Sequence, residues 1–430
     1  MAAVSANANR VTSALEEGLR AIVTPTYVRQ ASLADSVAGI PPQLVVEPGT
    51  EQELARVLKF ADEAGLAVIP RGGGTKLEWG NPPARADLIL SATRLNRILE
   101  HAWADLTVTV EAGCTIGKLH ETLAKHGQRL ALDALWPEHA TVGGVLSTND
   151  SGALRLRFGS LRDLIIGVTL ALPDGTLASS GGKVVKNVAG YDLPKLATGA
   201  LGTLGVMTRT VFRVHPLAKE TCTLTCACSD IAEAQRLLLT VQDSKLAHSA
   251  LQIRRVANAQ PKVDVLFEAT QAGLAAQTKQ LKSLAANKTF ADSASDVWNA
   301  RQELHFAAKQ DGANSAIAKF STLPAQLADT IGALATLCAD GVQWSVVVQA
   351  TGIGCVCLQG EAPAIESALV SFRASLADMG GSLAVHHPPA TVSRMEAWGD
   401  AGDALQLMRA VKQRLDPKNT LNPGRFVGGI

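Results

Sequence analysis

The chain has 430 residues, of which 47% are hydrophobic and 18% charged, which is enough apolar material for buried cores in two or three domains. Forty basic and 39 acidic side chains leave a formal net charge of +1, which excludes the broad positive field of a nucleic-acid-binding protein. No run of about 18 uninterrupted apolar residues occurs, so we expect membrane contact only through a partner.

Seven scattered cysteines do not indicate a disulfide framework and are typical of a reducing cytosol. Cys222, Cys226 and Cys228 lie in TCTLTCACSD, which alternates like a strand. They are interpreted as strand packing rather than metal ligands, because no CxxC pair or second cluster accompanies them. The N-terminus lacks the apolar segment of a signal peptide, so the predicted location is cytoplasmic.

The first elements mix strands and helices. Leu44–Val46 is typical of a strand, and Thr50 with Glu53 predicts a capping box at the start of an amphipathic helix. Leu66–Ile69 predicts the next strand, and the glycine-rich PRGGGTK, residues 70–76, follows it directly. Farther along, the Pro-Asp-Gly sequence at 173–175 predicts a hairpin turn.

Three glycine-rich segments suggest a bound anion. In Arg71–Thr75, missing side chains would let backbone N–H groups close on a phosphate, although a flexible turn explains a glycine triplet equally simply. In Thr141–Gly152, Gly143 and Gly144 introduce a short helix whose free N–H groups would point at a phosphate. Gly199–Thr208 is the third segment. None of them is a Walker A loop or a GxGxxG fingerprint, so nicotinamide binding is not indicated.

From about Leu217 to Ala397, Ala-rich helices and strands are predicted in the order strand, helix, strand, strand, helix, repeated with variations, which indicates a separate α+β domain. The residues themselves show no internal sequence repeat. A further helix, Ala404–Leu415, precedes the turn-rich LDPKNTLNPGRF. The elements predicted in the second half are helices over Ile231–Ser244, Ala272–Ala286, Leu323–Ala339 and Ala364–Met379, and strands over Val263–Glu268, Trp344–Ala350 and Cys355–Gln359.

In this order, the segments resemble the FAD-binding domain of the vanillyl-alcohol oxidase / p-cresol methylhydroxylase superfamily over residues 40–217. The matching runs are VVEPGTEQELARVLKFADEAGLAVIPRGGGTK, ATVGGVLSTNDSGALRLRFGSLRD and KVVKNVAGYDLPKLATGALGTLGVMTR. The resemblance implies an α+β fold: a two-subdomain PCMH-type FAD-binding domain, an α+β cap domain, and a C-terminal tail that returns to the FAD domain. The implied divisions are a helical lead-in over 1–36, the FAD-binding domain over 37–217, the cap over 218–397, and the C-terminal helix and tail over 398–430.

The resemblance also implies the FAD contacts. Some relatives attach flavin covalently through a histidine at the end of the first loop; Thr75 stands there, so non-covalent FAD is predicted. The backbone around Gly424 would lie near the isoalloxazine. The implied FAD-binding residues are Pro70, Arg71, Gly72, Gly73, Gly74 and Thr75 in the first loop, Thr141, Val142, Gly143, Gly144 and Ser147 in the second, Gly199, Gly202, Thr203, Gly205 and Val206 toward the adenine and ribose, and Asn422 beside the isoalloxazine.

Within the superfamily, GGKVVKNVAGYDLPKL together with GALGTLG is similar to the FAD-binding subunits of bacterial glycolate oxidases. Their catalytic companions carry GSEGTLG, with an acidic residue where Leu201 stands here. Catalytic relatives also share an HxGDGNxH metal motif that this sequence lacks. His386 and His387 are followed by two prolines and are interpreted as a strand end or turn, so no metal site is predicted.

The resemblance implies oxidation of a small 2-hydroxy acid, with glycolate first, by hydride transfer to flavin. It also implies a second, metal-bearing FAD subunit and an iron–sulfur subunit as partners, and at most a peripheral position at the inner membrane through them. The alternatives are a relay subunit that holds FAD without substrate chemistry, and a stand-alone reductase, which the tail fits poorly.

No general base is assigned from the sequence. Arg301 in VWNARQEL is a candidate for binding a substrate carboxylate, against the alternative of a solvated helix arginine. Tyr191 and Asp192 are candidates for flavin-side contacts, or for bracing the Gly199 loop.

Overall fold

A computed structural model describes residues 13–183, 190–285, 287–311, 314–339, 341–389 and 395–430. The run VVKNVA at 184–189, part of the resemblance, and Ala286, at the end of a predicted helix, lie outside the described residues. Among the described residues, no helix combines the length and apolar character needed to cross a membrane.

The first sheet contains four strands in the order β1-β2-β4-β3, with β2, β4 and β3 parallel and β1 antiparallel to β2. Helix α2 packs its apolar face on this sheet. Thr50 caps α2 by accepting from the N–H of Glu53 at 3.1 Å, whereas the Glu53 carboxylate accepts from Gly49 rather than closing the predicted box on Thr50. The elements are α1 (13–22), β1 (Val28–Gln30), β2 (Leu44–Val46), α2 (Glu51–Glu63), β3 (Val68–Arg71) and β4 (Leu88–Ser91).

The second sheet is antiparallel, in the order β5-β6-β10-β8-β9, and β7 pairs with β11 as a separate ribbon. The predicted hairpin turn joins β8 to β9, and its Gly175 has φ +85°. The elements are β5 (Ile98–Ala102), β6 (Thr107–Glu111), α3 (Ile116–Ala124), β7 (Gln128–Arg129), α4 (Val142–Thr148), α5 (Arg155–Phe158), α6 (Leu161–Leu164), β8 (Ile165–Ala171), β9 (Leu177–Gly181), α7 (Leu193–Ala197), β10 (Val206–Arg213) and β11 (His215–Pro216).

The second half forms an eight-stranded sheet in the order β15-β12-β14-β13-β17-β18-β16-β19. The predicted elements are confirmed with small shifts of their ends, and Arg301 lies on a helix as predicted; the strands β13, β15 and β16 were not predicted. The elements are β12 (Glu220–Ala227), α8 (Ile231–Gln242), β13 (His248–Val256), β14 (Lys262–Ala269), α9 (Gln271–Leu284), β15 (Ala291–Asp292), α10 (Ala300–Asp311), β16 (Ser315–Ser321), α11 (Leu327–Leu337), β17 (Gln343–Gln349), β18 (Ile353–Gln359), α12 (Ala362–Asp378), β19 (Ser382–His387) and α13 (Ala404–Leu415).

The predicted recurrence of strand, helix, strand, strand and helix is confirmed in this sheet. The order β12-α8-β13-β14-α9 recurs as β16-α11-β17-β18-α12, and the two halves meet where β13 pairs with β17. Cys222 and Cys226 lie on β12, and Cys355 and Cys357 on β18; all are free thiols, which confirms strand packing.

The two faces of the large sheet pack against different parts of the chain. Residues at alternate positions of β16, such as Ala316 and Phe320, join the main core beneath α8, α11 and α12. Ile317 lies on the opposite face, where α10 packs against it. Because side chains alternate along a strand, Lys319 shares the face of Ile317. That face turns toward the first half of the chain and carries the polar residues described below.

The C-terminal tail lies along the edge of the first sheet, as predicted. Leu421 pairs with Val68 of β3 in a parallel bridge. The N–H of Val68 donates to Thr420 at 2.7 Å, and the N–H of Asn422 donates to Val68 at 2.9 Å. These bonds bring the tail beside the glycine loop that follows β3.

Candidate functional site

The three glycine-rich segments and the tail converge on one cleft of about 740 Å³. Val142, Gly199 and Thr203 do not line it: Val142 is buried in the core, and the hydroxyl of Thr203 donates to Ala200. Gly424 is also outside the lining and lies close to Ala84. The predicted residues that do line the cleft are Pro70, Arg71, Gly72, Gly73, Gly74, Thr75, Thr141, Gly143, Gly144, Ser147, Gly202, Gly205, Val206 and Asn422.

The first loop supplies free donors. Within the described chain, the backbone N–H groups of residues 72–75 donate to no carbonyl or side-chain oxygen. Four adjacent free N–H groups at a cleft form a concave site for an anion. The prediction that this loop presents its backbone to the cleft is therefore supported by its hydrogen bonding.

The glycines of this loop also have a packing reason. A Cβ on Gly72 would stand 2.0 Å from Thr141 Oγ1, and a Cβ on Gly73 would stand 1.8 Å from the main-chain oxygen of His139. Gly74 has φ +72°, a conformation that favours glycine. The absence of side chains thus lets the first loop touch the second, in addition to opening the cleft.

Helix α4 does not present free N–H groups, which contradicts the mechanism predicted for the second segment. The N–H of Val142 donates to Cys114, that of Gly143 to Ala112, and that of Gly144 to the hydroxyl of Thr141 at 3.4 Å. The start of α4 is therefore satisfied internally. Gly143 and Gly144 contribute a surface without side chains rather than donors.

The third segment is held by both the second segment and the tail. The N–H of Leu201 donates to Ser147 at 2.9 Å, and the side-chain amide of Asn422 donates to the main-chain oxygen of Leu201. The other side-chain atom of Asn422, Oδ1, is buried without a hydrogen-bond partner in the described residues. Since buried polar atoms are almost always paired, this acceptor points to a ligand with a donor group in the cleft.

The guanidinium of Arg71 is held by Asp35. Its Nη1 donates to Asp35 at 2.8 Å, and the same carboxylate receives both terminal nitrogens of Arg29. The hydrogen bond from Arg29, together with those from Arg71 and Ser32, outweighs burial and holds the pKa of Asp35 well below its usual value. This buried cluster anchors the start of the first loop to the N-terminal segment.

Tyr191 and Asp192 do not line the cleft. The Tyr191 side chain is 88% exposed, and Asp192 caps α7 by accepting from the N–H of Lys195. The segment from α7 leads directly into Gly199, so the bracing interpretation fits better than flavin contact.

A buried ion cluster borders the cleft. Lys76, which lines the cleft, lies 3.2 Å from Asp150 Oδ2, and Arg301 Nη1 lies 2.6 Å from Asp150 Oδ1. Burial lowers the pKa of Lys76 despite the neighbouring carboxylate. Burial alone would raise the pKa of Asp150, but the charges of Arg301 and Lys76 outweigh it and hold the pKa well below its ordinary value.

Arg301 is not a solvated helix arginine, so that alternative is wrong. Its guanidinium donates to Asp150, to the main-chain oxygen of Ser151 at 3.1 Å and to that of Asp133 at 2.7 Å. Helix α10 covers the inner face of the large sheet, which places Arg301 in the interior. Its bonds to the cluster leave both terminal nitrogens occupied.

Next to this cluster lies a small, partly enclosed pocket, called the chamber below. Lys319 lines it, donates only a long 3.4 Å hydrogen bond to the main-chain oxygen of Asn149, and forms no ion pair with any described carboxylate. Burial lowers the pKa of Lys319. Three further buried polar atoms of the lining lack a hydrogen-bond partner within the described ranges: Ser151 Oγ, Gln349 Oε1 and His386 Nδ1.

His386 ends β19, as predicted, but it is part of the chamber wall. Its ring stacks on Trp79 with the centroids 3.7 Å apart, and burial lowers its pKa well below 6.5. His387 turns instead to Glu78, with Nδ1 3.0 Å from Oε2. A third space is lined both by Thr75, which also lines the cleft, and by His386, which also lines the chamber.

Two family profiles match the chain. The profile described as "FAD binding domain" matches residues 42–181, and the profile "FAD linked oxidases, C-terminal domain" matches residues 234–426. The chain belongs to the FAD-linked oxidases. This flavoprotein binds FAD, and nothing in the comparisons indicates covalent attachment of the cofactor.

Relatives of the flavoprotein align along most of its length. It is 25% identical over 424 residues to glycolate oxidase subunit GlcD of Bacillus subtilis, covering 90% of this chain and 89% of the relative. It is 26% identical over 418 residues to the mitochondrial D-lactate dehydrogenase [cytochrome] of Arabidopsis thaliana, covering 90% and 73%. It is 25% identical over 422 residues to the D-2-hydroxyglutarate dehydrogenase of Xanthomonas citri, covering 90% and 89%.

Solved structures establish the fold of the flavoprotein. p-Cresol methylhydroxylase with substrate bound superposes with a TM-score of 0.76 at 15% identity, over 96% of each chain. An alkyldihydroxyacetonephosphate synthase superposes with the same TM-score at 16% identity, over 96% of this chain and 86% of its own. The predicted PCMH-type fold with its additional α+β domain is confirmed.

The flavoprotein has features that the sequence did not single out. Lys76 ended the loop over residues 70–76 that was predicted to hold the pyrophosphate, but Asp150 and Lys319 were not selected, because nothing local in the sequence places the three together. Within the described residues, no group of three or more His, Cys, Asp or Glu side chains is arranged to hold a metal ion.

Proposed function

We propose that this flavoprotein oxidises a small 2-hydroxy acid to the 2-oxo acid, with glycolate as the first candidate, and that it works as one subunit of a larger complex. The observation that carries the proposal is the chamber, where Lys319 lies with three unpaired buried polar atoms. The names of the relatives, a glycolate oxidase subunit and two 2-hydroxy-acid dehydrogenases, support the same substrate class.

The chamber suits an anion with a hydroxyl group. A buried ammonium without a carboxylate partner is costly, and an anionic ligand at Lys319 would remove that cost. The unpaired oxygen of Gln349 accepts hydrogen bonds, so it matches a hydroxyl donor on the ligand. A 2-hydroxy carboxylate supplies both groups on adjacent carbons.

FAD fits the neighbouring cleft. The free N–H groups of residues 72–75 would hold phosphate oxygens, and Asn422 Oδ1 would accept from a donor of the cofactor. When bound, FAD supplies the acceptor for two electrons, taken as hydride from the substrate carbon. The role of the chain is then to orient the substrate and to accept the hydroxyl proton.

His386 is the candidate for accepting that proton. Its lowered pKa keeps the imidazole neutral at physiological pH, and its Nδ1 is unpaired in the chamber wall. As the C–H bond breaks with its electron pair leaving to the acceptor, the O–H proton would pass to His386 and the C=O bond would form. Atoms and electrons then balance as 2-oxo acid, reduced cofactor and imidazolium.

A second candidate is a relay subunit that holds FAD without oxidising substrate itself. The pairing of Arg301 with Asp150 favours it, because the strongest carboxylate-binding side chain of the region is already occupied. In this case a metal-bearing FAD subunit would oxidise the substrate and an iron–sulfur subunit would receive electrons, with any membrane contact made through these partners.

The test uses the purified holoprotein. We expect anaerobic glycolate or D-lactate to bleach the flavin absorbance of the isolated chain, and Lys319→Met to abolish bleaching while keeping the flavin content. Lys59→Met, at an exposed lysine on α2, is the matched control and should bleach normally. If the wild-type chain bleaches only after its partner subunits are added, the relay candidate replaces the first.

A further inference from the structure

We propose that Asp150 makes the chamber selective for monocarboxylates, because its carboxylate occupies Arg301 and leaves Lys319 as the cation open to a ligand. The inference rests on the proposed function and narrows its substrate class. According to this inference, 2-hydroxy acids with one carboxylate bind more tightly than those with a second carboxylate at the other end of the molecule.

The contacts show that Arg301 is already paired with a carboxylate of the chain. Asp150 Oδ1 lies 2.6 Å from Arg301 Nη1, and the Asp150 side chain is fully buried. Main-chain oxygens of Ser151 and Asp133 accept from Nη1 and Nη2, so three of the four N–H groups on the terminal nitrogens are donated. Because Asp150 already forms the charged pair with this guanidinium, a ligand carboxylate would have to compete with Asp150 for Arg301.

The charges lead to the same conclusion. Lys76 and Arg301 share Asp150, so the three together carry one positive charge that is spread over two hydrogen-bonded cations. Asp133 adds a carboxyl group beside Arg301; burial raises its pKa, and it accepts from the N–H groups of Gly152 and Leu154.

Lys319, in contrast, has no carboxylate within ion-pair distance among the described residues. One ligand carboxylate balances Lys319. A second one would be desolvated beside the Asp150 carboxylate, to which both neighbouring cations are already hydrogen-bonded.

Two variants distinguish the effect of the Arg301–Asp150 pair on ligand binding from the effect of the net charge of the cluster. Lys76→Met with Asp150→Asn removes one positive and one negative charge, so the net charge of the cluster is kept while Arg301 is released. Lys76→Met alone leaves the Arg301–Asp150 pair intact. Both variants are first checked for flavin content and thermal unfolding.

The ligands are 2-oxo acids, which bind the oxidised holoprotein without turnover. 2-Oxoglutarate and 2-oxopentanoate have the same chain length and differ in the second carboxylate, and pyruvate represents the small monocarboxylates. We expect calorimetry to show wild type and Lys76→Met binding 2-oxopentanoate or pyruvate at least about tenfold more tightly than 2-oxoglutarate. The double variant should gain at least about tenfold for 2-oxoglutarate alone.

Wild-type protein that binds 2-oxoglutarate as tightly as 2-oxopentanoate overturns the selectivity role of Asp150 and leaves the proposed function standing. A folded double variant with no gain for 2-oxoglutarate has the same consequence. Wild-type holoprotein that binds none of the three acids overturns the proposed function itself. Because the wild-type comparison needs no substitution, the inference can be refuted even if the double variant does not fold.

Discussion

Lys412 donates to the main-chain oxygen of Thr203 at 2.9 Å and so ties the C-terminal helix to a loop 209 residues earlier in the chain. The same buried ammonium donates to Leu421 at 2.9 Å and to Asp416 at 2.6 Å. Three acceptors satisfy this cation at the point where the tail meets the third segment of the FAD cleft. The tail therefore acts as a support for the cofactor site, as well as an additional edge of the first sheet.

The first prediction concerns this support. Lys412→Met leaves the Asp416 carboxylate buried without its cation, so we expect the free energy of unfolding to fall by about 3 kcal/mol. FAD should also dissociate more readily, because the loop carrying Thr203 loses its tether. Urea unfolding and fluorescence of released flavin measure the two effects.

Lys418→Met is the matched control, since Lys418 is in the same tail and pairs with Asp62 at the surface. An exposed pair contributes about 0–1 kcal/mol, so stability should change little. Equal losses of stability and of FAD in the two variants would contradict a special role for the buried hydrogen bonds of Lys412.

The second prediction concerns the contact between the two glycine loops. Gly73→Ala places a methyl group where His139 already lies, so the loops must separate. We expect less FAD per protein after purification and a lower unfolding temperature, measured by the ratio of flavin to protein absorbance and by calorimetry. Gly332→Ala on α11 has nothing within 4 Å of the added carbon and should retain full FAD content. A Gly73→Ala protein with normal flavin content and stability would refute the close approach.

Local signals were sufficient to predict much of the fold. The strand Leu44–Val46 and the helix Ala404–Leu415 were predicted with the observed bounds, because turn residues follow each of them. The return of the tail came from the family resemblance, since no local pattern specifies which edge a distant segment joins.

The chamber could not be predicted in this way. Asp150 follows α4, Arg301 lies on α10 and Lys319 on β16, and only the packing of the large sheet against the first half brings them together. Arg301 was assigned a solvated alternative because a helix pattern does not say which face of a sheet the helix will cover. The free N–H groups predicted for α4 were wrong for a related reason, since the segment at 112–114 accepts them.

The third prediction tests the attachment of FAD. Thr75 stands at the end of the first loop, where its hydroxyl cannot form the bond that a histidine makes to flavin in covalent relatives. Acid precipitation should therefore release all of the flavin into the supernatant, where its absorbance equals that of the native holoprotein. Flavin that stays with the washed pellet would show a covalent link at another residue.

The fourth prediction is a pH dependence that comes from His386. Burial lowers the pKa of His386 well below the value of about 6.5 expected in the unfolded chain. As the pH falls below about 6.5, the unfolded state binds a proton that the folded state does not, so the folded state loses stability by up to about 1.4 kcal/mol per pH unit.

Urea unfolding of wild type and His386→Gln between pH 8 and pH 5 measures this contribution. At pH 8 the His386 imidazole is neutral in both the folded and the unfolded wild-type protein. Any difference in stability between wild type and variant at this pH therefore reflects packing against Trp79 and serves as the internal reference. Below pH 6.5 the wild-type curve should fall more steeply than that of the variant. The slope that remains in the variant comes from His120, His215 and His248, whose pKa values burial also lowers. Parallel curves over the whole range would mean that His386 takes up a proton in the folded state as readily as in the unfolded one. This result would contradict the role of His386 as the neutral proton acceptor in the chamber.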